Sequence, residues 1–219
     1  MDAVSQILFI ALATAVINNL VLVYFVGCCP FLGVSRKLDT AFGMGCAVTF
    51  VMALSGSMTW AVTHFALAAE SPLLGWINRL AGATPEAPAV TDLLFLQYIV
   101  FIFVIAGMVQ LVEMYLRRFV PALYKALGVF LPLITTNCAI LWACLIIAKT
   151  PDYTENFLHA LTYSVFGGVG FTLAIVLMAG IREELEHADV PEPLKGPGIT
   201  LITAGLMALA FMGFKGMAG

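Results

Sequence analysis

Charge is scarce in this chain: 11% of its 219 residues are Asp, Glu, Lys or Arg, against 62% that are hydrophobic. A soluble domain could not cover its surface with so few polar groups, and a mean hydropathy of +1.02 points instead to a polytopic membrane protein. Other absences narrow the field further. There is no Cys-x-x-Cys, so a thiol oxidoreductase lacks its usual motif, and no four-cysteine spacing that would hold an iron–sulfur cluster alone. Five cysteines, at 28, 29, 46, 138 and 144, make an odd number and lie in or beside apolar runs, which argues against a disulfide framework. His64, His159 and His187 have no ligand spacing, and Gly167, Gly168 and Gly170 are followed by no lysine, so helix packing explains them better than a phosphate loop. A net charge of −3 with almost no soluble surface to carry it gives no indication of nucleic-acid binding.

What is present is a series of apolar runs at 5–27, 41–69, 93–116, 127–148, 157–181 and 197–214. Each approaches or exceeds the ~20 residues that cross about 30 Å of hydrocarbon as helix. Six transmembrane helices are therefore expected in one all-α integral membrane domain. The first run has no basic leader or small-residue cleavage site and continues into Cys28-Cys29-Pro30, so it is expected to be retained. Polar, proline-bearing stretches at 70–92 and 182–197 read as inter-helix loops, too small for a soluble active site. Arg36, Lys37, Arg117, Arg118, Lys125, Arg182 and Lys195 follow the first, third and fifth runs, whereas the other side holds only Arg79, Lys149 and Lys215. By the positive-inside rule both termini are expected outside the cytoplasm.

Two of the runs are interrupted. Gly27-Cys28-Cys29-Pro30-Phe31-Leu32-Gly33 breaks the first, and Leu131-Pro132-Leu133-Ile134-Thr135-Thr136-Asn137-Cys138 breaks the fourth. Split near residue 120, the chain becomes 1–120 and 121–219, each with three spans and a discontinuous first helix. An odd number of spans per half inverts the second, so two inverted three-helix repeats are expected, with a site where the broken helices meet. Proline suits a first helical position, which reads Cys29-Pro30 as a cap and a new start. Thr135, Thr136 and Asn137 are cap types ahead of the run 138–148. Cys29 and Cys138 would then lie at helix N-terminal ends, where thiolates are favoured, and are the candidate ligands.

Cys28 diverges from Cys29 by about 100° on a helical start and is assigned to packing, as are Cys46 and Cys144 within their spans. Asn18 and Asn19 lie deeper and could hydrogen-bond across helices, coordinate a cation or serve an electron site, with links between helices the preferred reading. Glu113, four residues before Arg117, reads as a snorkelling ion-pair partner at a span end in preference to an ion-pathway carboxylate.

The strings Asn18-Asn19 with Val21-Leu22, Gly27-x-Cys29-Pro30-Phe31-x-Gly33-Val34-Ser35-x-Lys37 and Gly128-x-Phe130-Leu131-Pro132-Leu133-Ile134-Thr135-Thr136-Asn137-Cys138-Ala139 closely resemble the A subunits of the Rnf (Rsx) ion-translocating electron transport complexes. So does the tail from Ala188-Asp189-Val190-Pro191 through Lys195-Gly196 to Leu201-Ile202-Thr203-Ala204-Gly205-Leu206-Met207. The superfamily includes the Rnf E subunits and the D and E subunits of the sodium-pumping NADH:quinone oxidoreductase. The resemblance implies six helices in inverted repeats in a bacterial inner membrane. It also implies a paralogous partner of opposite orientation, similar to the Rnf E subunits, and a 2Fe–2S cluster shared between the two. The family's two cysteines map onto Cys29 and Cys138, and Cys28 doubles the usual single residue.

The implied function is a relay of electrons across the bilayer within a ferredoxin:NAD oxidoreductase that moves Na⁺ or H⁺, alongside subunits carrying flavin and iron–sulfur centres. The isolated chain is expected to have no turnover. The alternative is a secondary transporter whose broken helices bind a small substrate or cation; inverted repeats and midplane Asn residues fit it equally, paired cysteines do not.

Overall fold

The computed structural model describes residues 3–64, 94–119, 131–189, 191 and 194–217. The expected loop at 70–92, with Arg79, and the segment carrying Lys125 and Gly128 lie outside them. Every regular element among the described residues is helical. Helix α1 (Ala3–Leu12) continues into a π-helical turn (Ala13–Ile17) and then an irregular stretch, 18–27, before α2 (Cys28–Val34) and α3 (Leu38–Val62). After α4 (Leu94–Phe119) come α5 (Leu131–Thr135), α6 (Cys138–Lys149), α7 (Pro151–Glu155), α8 (Phe157–His187) and α9 (Pro197–Met217).

Four of these helices are long and apolar enough to cross a membrane, with spans at Leu38–Val62, Tyr98–Tyr115, Phe157–His187 and Pro197–Lys215. The first and fourth apolar runs take a different form, as shorter apolar helices at Ser5–Ile17 and Leu133–Lys149. The interruptions read from the sequence fall beyond the end of the first of these and within the second. One boundary moves: α8 runs on to His187, so the first residues of the expected 182–197 loop are helical. Arg182-Glu183-Glu184-Leu185-Glu186 are all good helix formers, and a helix leaving the membrane has no reason to stop there. Pro197 then opens α9, at a position where its missing N–H costs nothing.

The centre of the molecule is the antiparallel packing of α3 on α8. Small residues make it close. A Cβ on Gly45 would stand 2.5 Å from Thr172 Cγ2, and one on Gly168 would stand 2.6 Å from Thr49 Cα. Each of these threonines turns its hydroxyl onto the glycine four residues back in its own helix, Thr49 to the Gly45 carbonyl at 2.8 Å and Thr172 to the Gly168 carbonyl at 2.9 Å. The two hydroxyls meet at 3.2 Å. Gly-x-x-x-Thr on one helix thus packs against Gly-x-x-x-Thr on the other, reciprocally. Further along the same seam, Gly56 lies against Ser164. Because lipid tails are as apolar as the helices, such close backbone approach supplies much of the association energy.

Gly168→Ala is expected to lower thermal stability by about 1–3 kcal/mol or more, because its methyl would meet backbone that cannot turn aside. Gly180, on the same helix with nothing within 4 Å of an added Cβ, serves as the control. Gly180→Ala should leave the melting temperature of the purified protein unchanged or raise it.

At its far end α8 also holds the chain around α2. Arg182 Nη1 donates to the Leu32 carbonyl at 2.8 Å and to Ser35 Oγ at 3.0 Å, closing the last turn of α2. Glu183 Oε1 accepts the Leu38 N–H at 3.0 Å, where α3 begins.

Candidate functional site

The first interruption is built around Asn19, which is fully buried. Its Nδ2 donates to the carbonyls of Ala15, at 3.1 Å, and of Gly170 on α8, at 2.7 Å. Its Oδ1 accepts the N–H groups of Val21 at 3.0 Å and Leu22 at 3.4 Å. One side chain therefore satisfies backbone that the π-helical turn leaves exposed, and ties it to another helix. Asn19 is interhelical glue, as its residue type suggested; Asn18, half-buried, ends the turn through its own N–H to the Ala13 carbonyl at 2.6 Å.

The chain then passes through two left-handed residues. Phe25 has φ +53°, a conformation that costs a non-glycine residue about 1–2 kcal/mol, and Gly27 has φ +87°. Gly27 leads directly into α2, which starts at Cys28. The expected cap at Cys29 and start at Pro30 are thus displaced: glycine takes the sharp entry, and Pro30 falls within the first turn, where its missing N–H is tolerated. Cys28 turns its thiol back to donate to the Phe25 carbonyl at 2.8 Å, whereas Cys29 is exposed.

The second interruption separates α5 from α6. Asn137 caps α6, its Oδ1 accepting the Ala139 N–H at 3.0 Å, which matches the cap read from the sequence. Cys138 is the first residue of α6 and is exposed.

The two interruptions meet. The Gly27 N–H donates to Cys138 Sγ at 2.9 Å across 111 residues of sequence. A Cβ on Gly27 would stand 3.0 Å from Ala139 Cβ, 3.1 Å from Phe171 Cε2 and 3.2 Å from Asn137 Oδ1, so both its φ and its lack of side chain are required. Cys28 lies within electrostatic range of both Cys29 and Cys138. The result is two outward-facing thiols, Cys29 and Cys138, beside a seam with a backbone donor already aimed at one sulfur. No group of three or more His, Cys, Asp or Glu residues able to hold a metal exists among the described residues. Within them the chain offers a pair of soft ligands and nothing that would complete four.

The remaining sequence candidates lie elsewhere. Cys144 is buried in α6, as a small hydrophobe would be, but Cys46 is exposed on α3. His64 stacks on Trp60 with ring centroids 5.1 Å apart, and His187 Nδ1 lies 3.0 Å from the Glu183 carbonyl, so the histidines share no site. Glu113 is half-buried on α4, whose last turn carries Arg117 and Arg118. Reading residue types missed Gly27 as the donor to Cys138 and Arg182 as the clamp on α2. Its only signal for the first was a glycine just ahead of the Cys-Cys-Pro string.

Comparison with known proteins gives the chain's relatives. The family model described as "Rnf-Nqr subunit, membrane protein" matches residues 7–218. The chain is 49% identical over 211 residues to the A subunit of the Na(+)-translocating ferredoxin:NAD(+) oxidoreductase complex of Acetobacterium woodii, covering 96% of this chain and 97% of that one. It is 46% identical over 213 residues to the A subunit of the ion-translocating oxidoreductase complex of Erwinia tasmaniensis and to that of Serratia proteamaculans, covering 97% of this chain and 98% of each relative.

Proposed function

The chain belongs to the Rnf-Nqr family of membrane subunits, and from that premise we propose that it is the A subunit of an ion-translocating ferredoxin:NAD oxidoreductase, serving to pass electrons through the bilayer. In this reading Cys29 and Cys138 provide two of four thiolate positions for a 2Fe–2S cluster, and a paralogous membrane subunit, similar to the Rnf E subunits, provides the other two. The observation that carries it is the Gly27 N–H donated to Cys138 Sγ, which joins two helix breaks 111 residues apart and leaves both thiols exposed beside them. Two soft ligands facing outward suit half of a shared site, since such clusters take four cysteines. Bound there, the cluster would supply a one-electron carrier at membrane depth.

The chain's own residues prepare the position. The Gly27 N–H stabilises negative charge on the Cys138 sulfur, as donors near a cluster sulfur do. The Asn137 cap fixes where α6 begins and hence where Cys138 points. Arg182 and Ser35 hold the far end of α2, so that Cys29 cannot swing with that short helix. Cys28 is held back on the Phe25 carbonyl, away from ligation.

Two inverted three-helix repeats, with boundaries near residue 120, form part of the same proposal. The interruption of one helix in each half supports it. So does the reciprocal Gly-x-x-x-Thr contact of α3 with α8, the next long helix after each break, because an in-plane two-fold axis pairs corresponding helices antiparallel. Arg36, Lys37, Arg117, Arg118 and Arg182 all fall at one membrane side on this topology, which places both termini outside the cytoplasm of a bacterial cell.

Iron and acid-labile sulfide test the shared site. Co-expression with the paralogous partner should give about two irons per heterodimer, and the chain alone almost none. A complete cluster in the isolated chain would defeat the shared architecture. Iron absent from the assembled complex would return the reading to a transporter with broken helices.

A further inference from the structure

Hydroxyls inside this helical bundle follow a rule, and three of them break it. Thr49, Ser57, Thr162, Ser164, Thr172 and Thr203 each donate to the carbonyl four residues back, at 2.8–2.9 Å. That is the ordinary way for a hydroxyl to be satisfied in an apolar helix. On α3 and at its C-cap, however, Ser55 Oγ, Thr59 Oγ1 and Thr63 Oγ1 are buried with no oxygen or nitrogen partner among the described residues. These residues are 0%, 0% and 7% exposed. The helix does not forbid the usual bond, since Ser57 makes it to Ala53 in the same stretch.

The spacing of the three is four residues each, so they lie one above another on one face of α3 and span about 12 Å from mid-helix to its C-terminal end. That face looks into the seam between α3, α6 and α8. Thr59 faces Cys144 of α6, whose thiol is a weak partner for a hydroxyl. The adjoining Gly56 touches Ile147 of α6 and Ser164 of α8. The antiparallel register set by Gly56 and Ser164 brings the first turn of α8 to the level of Thr59 and Thr63. His159, in that turn, has a buried Nδ1 that is likewise without a partner among the described residues.

Water in a protein interior needs two to four polar partners, and an apolar site stays dry. A column of hydroxyls without oxygen or nitrogen partners among the described residues supplies such partners, and as none of the three is charged a neutral occupant fits them. We infer that Ser55, Thr59 and Thr63 hold a file of ordered water molecules in the seam between α3, α6 and α8, entering at the C-terminal end of α3. The file is separate from the thiol pair: it is built on a different face and uses neither Cys29 nor Cys138. It hydrates one end of the bundle interior to the level of Ser55 and gives hydrogen-bonded access there from the membrane surface.

X-ray hydroxyl-radical footprinting of the full chain in nanodiscs, in water enriched in oxygen-18, tests this directly, because buried side chains are labelled only where ordered water touches them. Cys144 is expected to take up label several-fold faster than Met44 and Met178, which are as deeply buried, after allowance for the intrinsic reactivities of the two sulfur types. Thr59→Val, which keeps the shape and removes the hydroxyl, should bring Cys144 down to the methionine level and lower the apparent melting temperature. Ser55→Ala makes the same comparison if Thr59→Val does not accumulate. Labelling of Cys144 at the methionine level in the unaltered chain, labelling that neither substitution changes, or a melting temperature raised by Thr59→Val would each overturn the inference. The last result is what a dry, unpaired hydroxyl gives when it is removed.

Discussion

Cys29→Ser and Cys138→Ser are each expected to abolish the visible absorbance and the paramagnetic signal of the membrane iron–sulfur centre in the assembled complex. The replacement trades a soft, polarisable thiolate for a hard and weakly acidic hydroxyl, and iron–sulfur ligation strongly prefers the former. Little packing is lost in either case, because both side chains are exposed on this chain. The variants should therefore accumulate in membranes, which separates a ligand role from a folding defect. Cys144→Ser and Cys46→Ser should leave the signals in place, the first sitting in the core of α6 and the second being within the long helix α3 rather than at a helix start. Cys28→Ser is the informative neighbour. Its thiol donates to the Phe25 carbonyl, a bond that a serine hydroxyl can reproduce, so the centre should survive. A normal signal in Cys29→Ser together with loss in Cys28→Ser would move the ligand role by one residue.

Asn19→Ala should have a large effect on folding for a single polar substitution. It removes at once the partner of two N–H groups, Val21 and Leu22, a bond to the Ala15 carbonyl and the added bond that ties this stretch to the Gly170 carbonyl of α8. The position is 0% exposed, so water cannot easily replace them. An unsatisfied buried backbone group costs about 1–3 kcal/mol. Leaving the Val21 and Leu22 N–H groups unpaired would take a large part of a typical stability of about 5–15 kcal/mol. The expected outcome is a protein that fails to accumulate in membranes or melts far below the unaltered chain. Asn18→Ala, at a half-buried position, is the comparison and should be mild. Equal accumulation and equal melting of Asn19→Ala would mean that the irregular segment 18–27 is held by something other than this side chain.

Composition alone determined that the chain lies in a membrane, because no arrangement of so few polar residues could cover 219 residues in water. The helix breaks were legible too. Pro30, Pro132 and the cap types ahead of Cys138 act on their own turn of backbone, and such short-range effects can be read residue by residue. Asn137 took the role its type suggested, and the strings around Cys29 and Cys138 carried the family. Local rules failed where a neighbour in sequence competed: Gly27 rather than Cys29 became the entry to α2, since its φ of +87° is open to glycine and costly for cysteine. The reciprocal Gly45–Thr49 and Gly168–Thr172 contacts were present as residues but not as a signal, for one glycine and one threonine at the same spacing recur by chance. What only the tertiary structure decided was the meeting of distant groups: Gly27 with Cys138, Asn19 with Gly170, Arg182 with Leu32. A hydrogen bond fixes atoms to within a few tenths of an ångström, and no pattern along the chain specifies separations that fine. Close packing of α8 against α3 and against the first break sets them.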